Sequence, residues 1–305
     1  MHREKNGSLT SEIVHADMLA DLQASRNIHI EDCNRVCLAL GPYRNLTTLT
    51  ASALFLHPNC QVLNHARDRI FNAPDINFLS SYSQVRFNNF IKYAILISGK
   101  GERGKHGGSI TFSHAFDPQH EMADIFQKTG LNLIKNKINC LFWKESLTIS
   151  NHIRDHLENL ETMLYQEQRL VFLLPIRNPL DCAISNLHSG HASRFRIENS
   201  QQSIHTCILA ILDEINWFLS HQEKYSDRFF HYFAHTIDKD MLKTLANFLI
   251  LSHDEEWIAN ALRVMVVKSS YEHEDSILQF YRKSVEIIFA GKPWAQQQLL
   301  KFIPR

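Results

Sequence analysis

Arg44, Thr47 and Thr48 lie in the stretch GPYRNLTTLTASALFLHPN (41–59), directly after the apolar run Val36 to Leu40. An arginine followed by paired hydroxyls, between a strand-like run and a helical pattern, is a set of groups suited to an anion. The guanidinium is a fork of donors, the hydroxyls add more, and a helix N-terminus contributes unpaired N–H groups and a positive dipole end. A second arginine is placed in the same way. In LVFLLPIRNPLDCAISNLHSGH (170–191), Arg177 ends an apolar run and Asn178-Pro179 opens a helix with proline at a favourable first-turn position. Ser185 follows Arg177 by eight residues, about two helical turns. A strand-end arginine and a helix serine at that spacing are expected to clamp a second phosphate.

Strands ending where these groups begin must position them. The short apolar runs Val36 to Leu40, Gln61 to Leu63, Cys140 to Trp143, Leu170 to Pro175 and Phe229 to Phe233 read as strands. Helical periodicity is expected over Ser11 to Arg26, Thr47 to Leu56, Ile76 to Ile97, Ser150 to Gln166, Pro179 to Leu187, Ser203 to Lys224, Lys239 to Leu251, Asp254 to Val267 and Ser276 to Ala290. This alternation predicts an α/β fold with a central parallel sheet flanked by helices. Ligands in such sheets bind beyond the carboxyl ends of the strands, so the loops after Leu40, Leu63, Trp143 and Pro175 should share one rim. The segment GKGERGKHGGS (99–109), with five glycines and three basic side chains, reads as a solvated loop or as a flexible lid over an anionic ligand.

The first loop departs from GxxxxGK[ST], with Leu46 for the second glycine and Thr47 for the lysine, which argues against a nucleotide triphosphatase. Taken together, the two loops resemble the sulfotransferase family, whose members use 3′-phosphoadenosine 5′-phosphosulfate (PAPS). The resemblance matches Tyr43, Arg44, Asn45, Leu46, Thr47 and Thr48 to the loop that lines the 5′-phosphosulfate. It matches Arg177, Asn178, Pro179, Leu180 and Asp181 through Ser185 to the segment that holds the 3′-phosphate. Leu56 to Asn59 is similar to a family SHPD segment, and the likeness extends from about Val36 to Glu274. It implies a P-loop nucleotide-hydrolase-like sulfotransferase architecture, with residues 35–305 as one domain behind an N-terminal helical extension, 1–34. Glycine at position 46 would allow a close approach or a positive φ; leucine fits there if the residue is already helical.

The resemblance also implies a chemistry: PAPS is the donor, adenosine 3′,5′-bisphosphate (PAP) is the product, and no metal takes part. Arg44 and Lys144 would stand against the transferred group, and a base would take the proton of a hydroxyl or amine acceptor. The family histidine of a KTH sequence is replaced here by Ser146 in Trp143-Lys144-Glu145-Ser146. His65 is the first choice for the base, on its ordinary pKa near 6.5, and Glu145 is the second. His106 and His114 are weaker candidates, and Asp181 is expected to brace the Arg177 helix. A second reading keeps the fold and an adenine nucleotide or partner without turnover; Leu46 and the missing histidine favour it.

Composition narrows the rest. Lys+Arg and Asp+Glu are both 32, so no global basic field argues for nucleic acid. The six cysteines form no CxxC pair and read as buried thiols of a reducing compartment. The eighteen histidines are scattered, with no HExxH pattern for a metal. The N-terminus lacks an apolar stretch and no segment is long enough to span ~30 Å of bilayer, so the expected location is cytoplasmic. The acceptor is expected to be a small molecule, a glycan or a lipid.

Overall fold

Consecutive residues of the run after Arg35 face opposite sides of a sheet, and both sides are dry. In the computed structural model, which describes residues 17–102, 107–267 and 271–304, strand β1 (Arg35–Ala39) sends Val36 and Leu38 into one hydrophobic core and Cys37 and Ala39 into another. Strand β5 (Leu170–Ile176) alternates likewise, with Phe172 and Leu174 on the first side and Val171 and Leu173 on the second. Side chains alternate with a period of two along a strand. A parallel strand covered on both faces therefore reads as an unbroken apolar run.

The other strands are β2 (Cys60–Asn64), β3 (Gly108–Ser109), β4 (Cys140–Lys144) and β6 (Phe229–Phe233), in the order β3-β2-β4-β1-β5-β6. All neighbours run parallel except the two-residue edge strand β3, which is antiparallel to β2. The α/β class expected from the alternating pattern is the class observed. Chain order reverses direction across the sheet at β1, which makes the loop after it a topological switch point, the usual ligand crevice of such sheets.

The helices fall into two layers. α1 (described over 17–25) packs Met18 into the first core, as do α4 (Gln84–Ser98), α8 (Pro179–His188), the long α9 (Ile204–Lys224) and α12 (Asp275–Ile288). The second core lies under α2 (Thr47–Phe55), α5 (Glu121–Thr129), α10 (Lys239–Phe248) and α11 (Glu255–Val264). Capping explains several boundaries. Ser83, Asp238 and Asp254 accept from the third backbone N–H of α4, α10 and α11, and Ser203 forms a capping box with Thr206 on α9.

Three expectations for helices are corrected. The helix expected from Ile76 begins only at Gln84, because Asn77 bonds Phe71 O and the Ser80 side chain and holds 77–80 in turns. The stretch 150–166 is two helices, α6 (Leu147–Asp155) and α7 (Leu157–Gln166), broken where His156 leaves the helical region. Three further helices were not expected: α3 (Arg67–Phe71), α5 and α13 (Pro293–Leu300). Residues 11–16 of the expected leading helix, residues 103–106 of the glycine-rich segment with His106, and residues 268–270 lie outside the described residues. Among the described residues no helix is long and apolar enough to cross a membrane.

Candidate functional site

The loop after β1 is shaped by cross-strand ties. Asn45, 1% exposed, donates from Nδ2 to Pro175 O and accepts from the Arg177 N–H at 2.8 Å, fixing the loop to the end of β5. Gly41 N–H donates to Ser150 Oγ of α6 (2.9 Å), and Asn186 of α8 donates to Tyr43 O (2.8 Å). Gly41 turns with φ 95°, and a β-carbon there would meet Leu174 Cδ1 at 2.1 Å. Asn45 thus serves the loop with both ends of its side-chain amide.

Leu46 does not take the helical conformation that would accommodate leucine without strain. It stands as the N-cap of α2 at φ 65°, ψ 2°, with no side-chain cap bond and no acidic residue in the first turn. A non-glycine residue held there costs about 1–2 kcal/mol. The loop keeps its glycine-like turn, and the leucine carries the strain. Among the described residues seven non-glycine residues have positive φ, and five of them, Arg44, Leu46, His65, Ala66 and Ser146, lie in the loops after β1, β2 and β4. Backbone strain gathers at functional sites, and here it gathers on one rim.

Those loops enclose a pocket of about 380 Å³ whose lining includes Arg44, Thr47, Thr48, Lys144, Arg177 and His191. The rim is the one expected, built from the ends of β1, β2, β4 and β5. Its lining carries the basic side chains of Arg44, Lys144 and Arg177 with two histidines, and no carboxylate among the described residues. Arg177 Nε is buried and without a hydrogen-bond partner among the described residues, although Arg177 also faces Asp181 at 3.6 Å. Asp181 is held in turn by His273 Nε2 at 2.9 Å. Ser185, 4% exposed, does not stand free beside Arg177: its Oγ accepts from Arg44 Nε at 2.9 Å. Ser185 therefore holds Arg44 at the pocket, with its own hydroxyl proton still to donate.

At the end of β4, Lys144 is 6% exposed and its Nζ lies 2.9 Å from His65 Nε2. Burial lowers its pKa to about 8, with neighbouring Arg44 acting the same way and Glu145 opposing. The other ring nitrogen of His65 lies 3.6 Å from Glu145 Oε2, so His65 links the lysine to the carboxylate. Glu145 is itself buried and accepts from Thr148 Oγ1. Ser146, in the place of the expected family histidine, donates to Thr47 Oγ1 at 3.0 Å.

A second cavity, about 210 Å³, shares Tyr43, His65 and His191 with the first and continues past Arg67, Asp68 and Arg194. Unlike the first it has carboxylates in its wall, Asp68 and Glu145. The glycine-rich segment reaches this side: a β-carbon at Gly107 would meet Ala66 Cα at 3.1 Å. His114 lines neither cavity.

No family model and no curated protein matches the sequence. Solved structures similar to this chain include the mouse sulfotransferase SULT7A1 complexed with PAP, at 8% identity, covering 92% of each chain with a TM-score of 0.43. Another is the sulfotransferase STF9 from Mycobacterium avium, at 15% identity over 91% of this chain and 80% of that one, TM-score 0.45. A third, from Alicyclobacillus acidocaldarius, is 13% identical over 83% of this chain and 94% of that one, TM-score 0.38. Each of the three is a sulfotransferase.

Of the residues singled out in sequence, Tyr43, Arg44, Asn45, Leu46, Thr47, Thr48, His65, Lys144 and Arg177 all line the first cavity, Glu145 lines the second, and Ser185 lies behind Arg44. Sequence reasoning missed His191, which lines both. Its readable signal was position: it closes the Arg177 segment, six residues after Ser185.

Proposed function

We propose that the protein is a PAPS-dependent sulfotransferase, transferring the sulfuryl group to a polar hydroxyl or amine acceptor. The observation that carries this reading is the first cavity: an uncapped helix N-terminus facing a lining of Arg44, Lys144 and Arg177 with no carboxylate. That chemistry suits a ligand with more than one phosphate-like group. The orphaned Arg177 Nε is a buried donor in want of an anionic acceptor, and fits the 3′-phosphate. The α2 N-terminus with Thr47 and Thr48 suits the 5′ end, where Arg44 and Lys144 would meet charge building on the transferred and leaving oxygens.

The second cavity would hold the acceptor beside the shared residues Tyr43, His65 and His191. Its wall of arginines, histidines and carboxylates suits a hydroxyl-rich or charged acceptor better than a lipid. Much of the catalytic task would be to position donor and acceptor in line, which adjoining cavities suit.

Calorimetric titration with PAP tests the reading. Micromolar binding is expected, and Arg177→Ala should weaken it by about 10- to 150-fold, the worth of a charge-assisted contact at ~1.5–3 kcal/mol. No heat of binding at millimolar PAP would sink the proposal.

A further inference from the structure

His191 opens a short 3-10 segment, His191–Phe195, that follows α8, and its ring packs 5.0 Å from the ring of Tyr43. Its tautomer is tied to a hydroxyl of the preceding turn. Ser189 Oγ lies 2.7 Å from the backbone carbonyl of Ser185 and 2.6 Å from His191 Nδ1. With the hydroxyl proton donated to the Ser185 carbonyl, Nδ1 carries the ring proton and Nε2 presents a lone pair. No hydrogen-bond partner for Nε2 is found among the described residues. His65 differs, since Lys144 stands on its Nε2 and Glu145 faces its Nδ1.

A general base needs a bare nitrogen at the substrate and a held one behind it. His191 has both, at the wall shared by the two cavities. Its surroundings also disfavour the imidazolium. Burial comes first among the causes that lower its pKa below 6.5, followed by Arg44 from the β1 loop, Arg194 on its own segment, Lys144 from β4 and His65 from β2. Tyr43, Arg67, Asp68, Arg69 and Glu145 are the other titratable residues in the wall of the second cavity.

We propose that His191, and not His65, is the general base of the transferase reading on which this inference rests. Nε2 takes the proton of the acceptor hydroxyl as the bond from acceptor oxygen to sulfur forms. The bond from sulfur to the bridging oxygen breaks, and its electron pair leaves on the 5′-phosphate of PAP. The imidazolium returns its proton to water. The device is compact, because the turn of α8 whose Ser185 side chain aims Arg44 also fixes, through its carbonyl and Ser189, the tautomer of the base.

The test uses the full chain, His191→Gln and His191→Ala, with PAPS as donor and 2-naphthol, glucosamine and water as probe acceptors. PAP titration of all three proteins comes first. Failure of the wild type to bind PAP would overturn the transferase reading and this inference with it. With PAP bound equally by all three, kcat is expected to fall about 10²- to 10⁴-fold in both variants. The wild-type acid limb below pH 6.5 should disappear, and added imidazole should restore part of the rate in His191→Ala. A variant within threefold of wild type, or one that keeps the acid limb, overturns the assignment. Independently of turnover, nitrogen-15 NMR of the wild type with PAP should show His191 neutral at pH 7 with its proton on Nδ1. An Nε2–H tautomer or an imidazolium at that pH overturns the assignment even if none of the three probes is a substrate.

Discussion

Replacing Leu46 with alanine and, separately, with glycine divides the cost of its left-handed backbone from the value of its side chain. Leu46 is half-buried at the mouth of the first cavity, at φ 65°. Removing the side chain to Cβ loses the partial burial of a leucine, about 1 kcal/mol when full burial is worth ~1.5–3, and leaves the strain in place. Glycine loses the same burial but relieves about 1–2 kcal/mol of left-handed strain, against about 0.4–1 kcal/mol for the greater freedom of the unfolded chain. Leu46→Gly should therefore match the wild type to within about 1 kcal/mol and exceed Leu46→Ala by about 0.5–1 kcal/mol. Equilibrium unfolding in urea measures both differences, and PAP titration of the same proteins adds a functional axis. Since the side chain lines the cavity, Leu46→Gly should bind PAP at least as tightly as the wild type. Alanine equal to or more stable than glycine would refute the reasoning, because it would mean that position 46 is not strained. In that case the leucine would have to be explained by packing alone.

Lys144→Met should abolish a pH dependence as well as weaken the donor site. Its ammonium form dominates below about 8, so PAPS affinity should fall about tenfold from pH 7 to 9 in the wild type and stay flat in the variant; a flat wild-type profile would count against Lys144 as a ligand. Lys135 is a buried amine with no hydrogen-bond partner among the described residues, seated over the Phe55 ring at 4.0 Å, and burial lowers its pKa to about 8. Lys135→Met should stabilise the protein at pH 7 by about 1 kcal/mol, the desolvation penalty less the cation–π contact. Its folded pKa lies below the unfolded value of 10.5, so wild-type stability should rise with pH between about 8 and 10.5 and the methionine advantage should shrink over that window; an advantage that grows with pH would contradict this. Asn45→Ala leaves Pro175 O and the Arg177 N–H without their partner, and should cost about 1–3 kcal/mol by chemical denaturation; a loss under 0.5 kcal/mol would show the brace to be idle.

How much of this was legible in sequence depended on whether a feature is local. The buried parallel strands were readable because each is a continuous apolar run, and Cys140–Lys144 and Phe229–Phe233 fall where the pattern put them. The helix expected from Ile76 was misjudged because Ile76, Phe78 and Leu79 are core residues carried by turns, and apolar spacing alone cannot separate the two. The Ser83 cap was the better signal. Arg44, Lys144, His65 and Arg177 converge because four strands end together, which the alternation predicts. The partnership of Arg44 with Ser185 was not readable, since it spans 141 residues. His191 escaped for another reason: a histidine in a polar segment has no distinguishing spacing until its hydrogen-bond chain is known.

The two ends of this site are built to different mechanical specifications. The first cavity is tied across neighbouring strands by a buried amide and backed by two hydrophobic cores, so a substitution there propagates into the fold. The second cavity rests on short elements, α3 and the segment His191–Phe195, which supply Arg67, Asp68 and Arg194 to its wall. Sequence drift can rewrite that wall while the first cavity stays fixed. On the proposed transferase function, a library randomised at 67, 68 and 194 is thus a practical route to new acceptors, with folding yield largely insulated from the search.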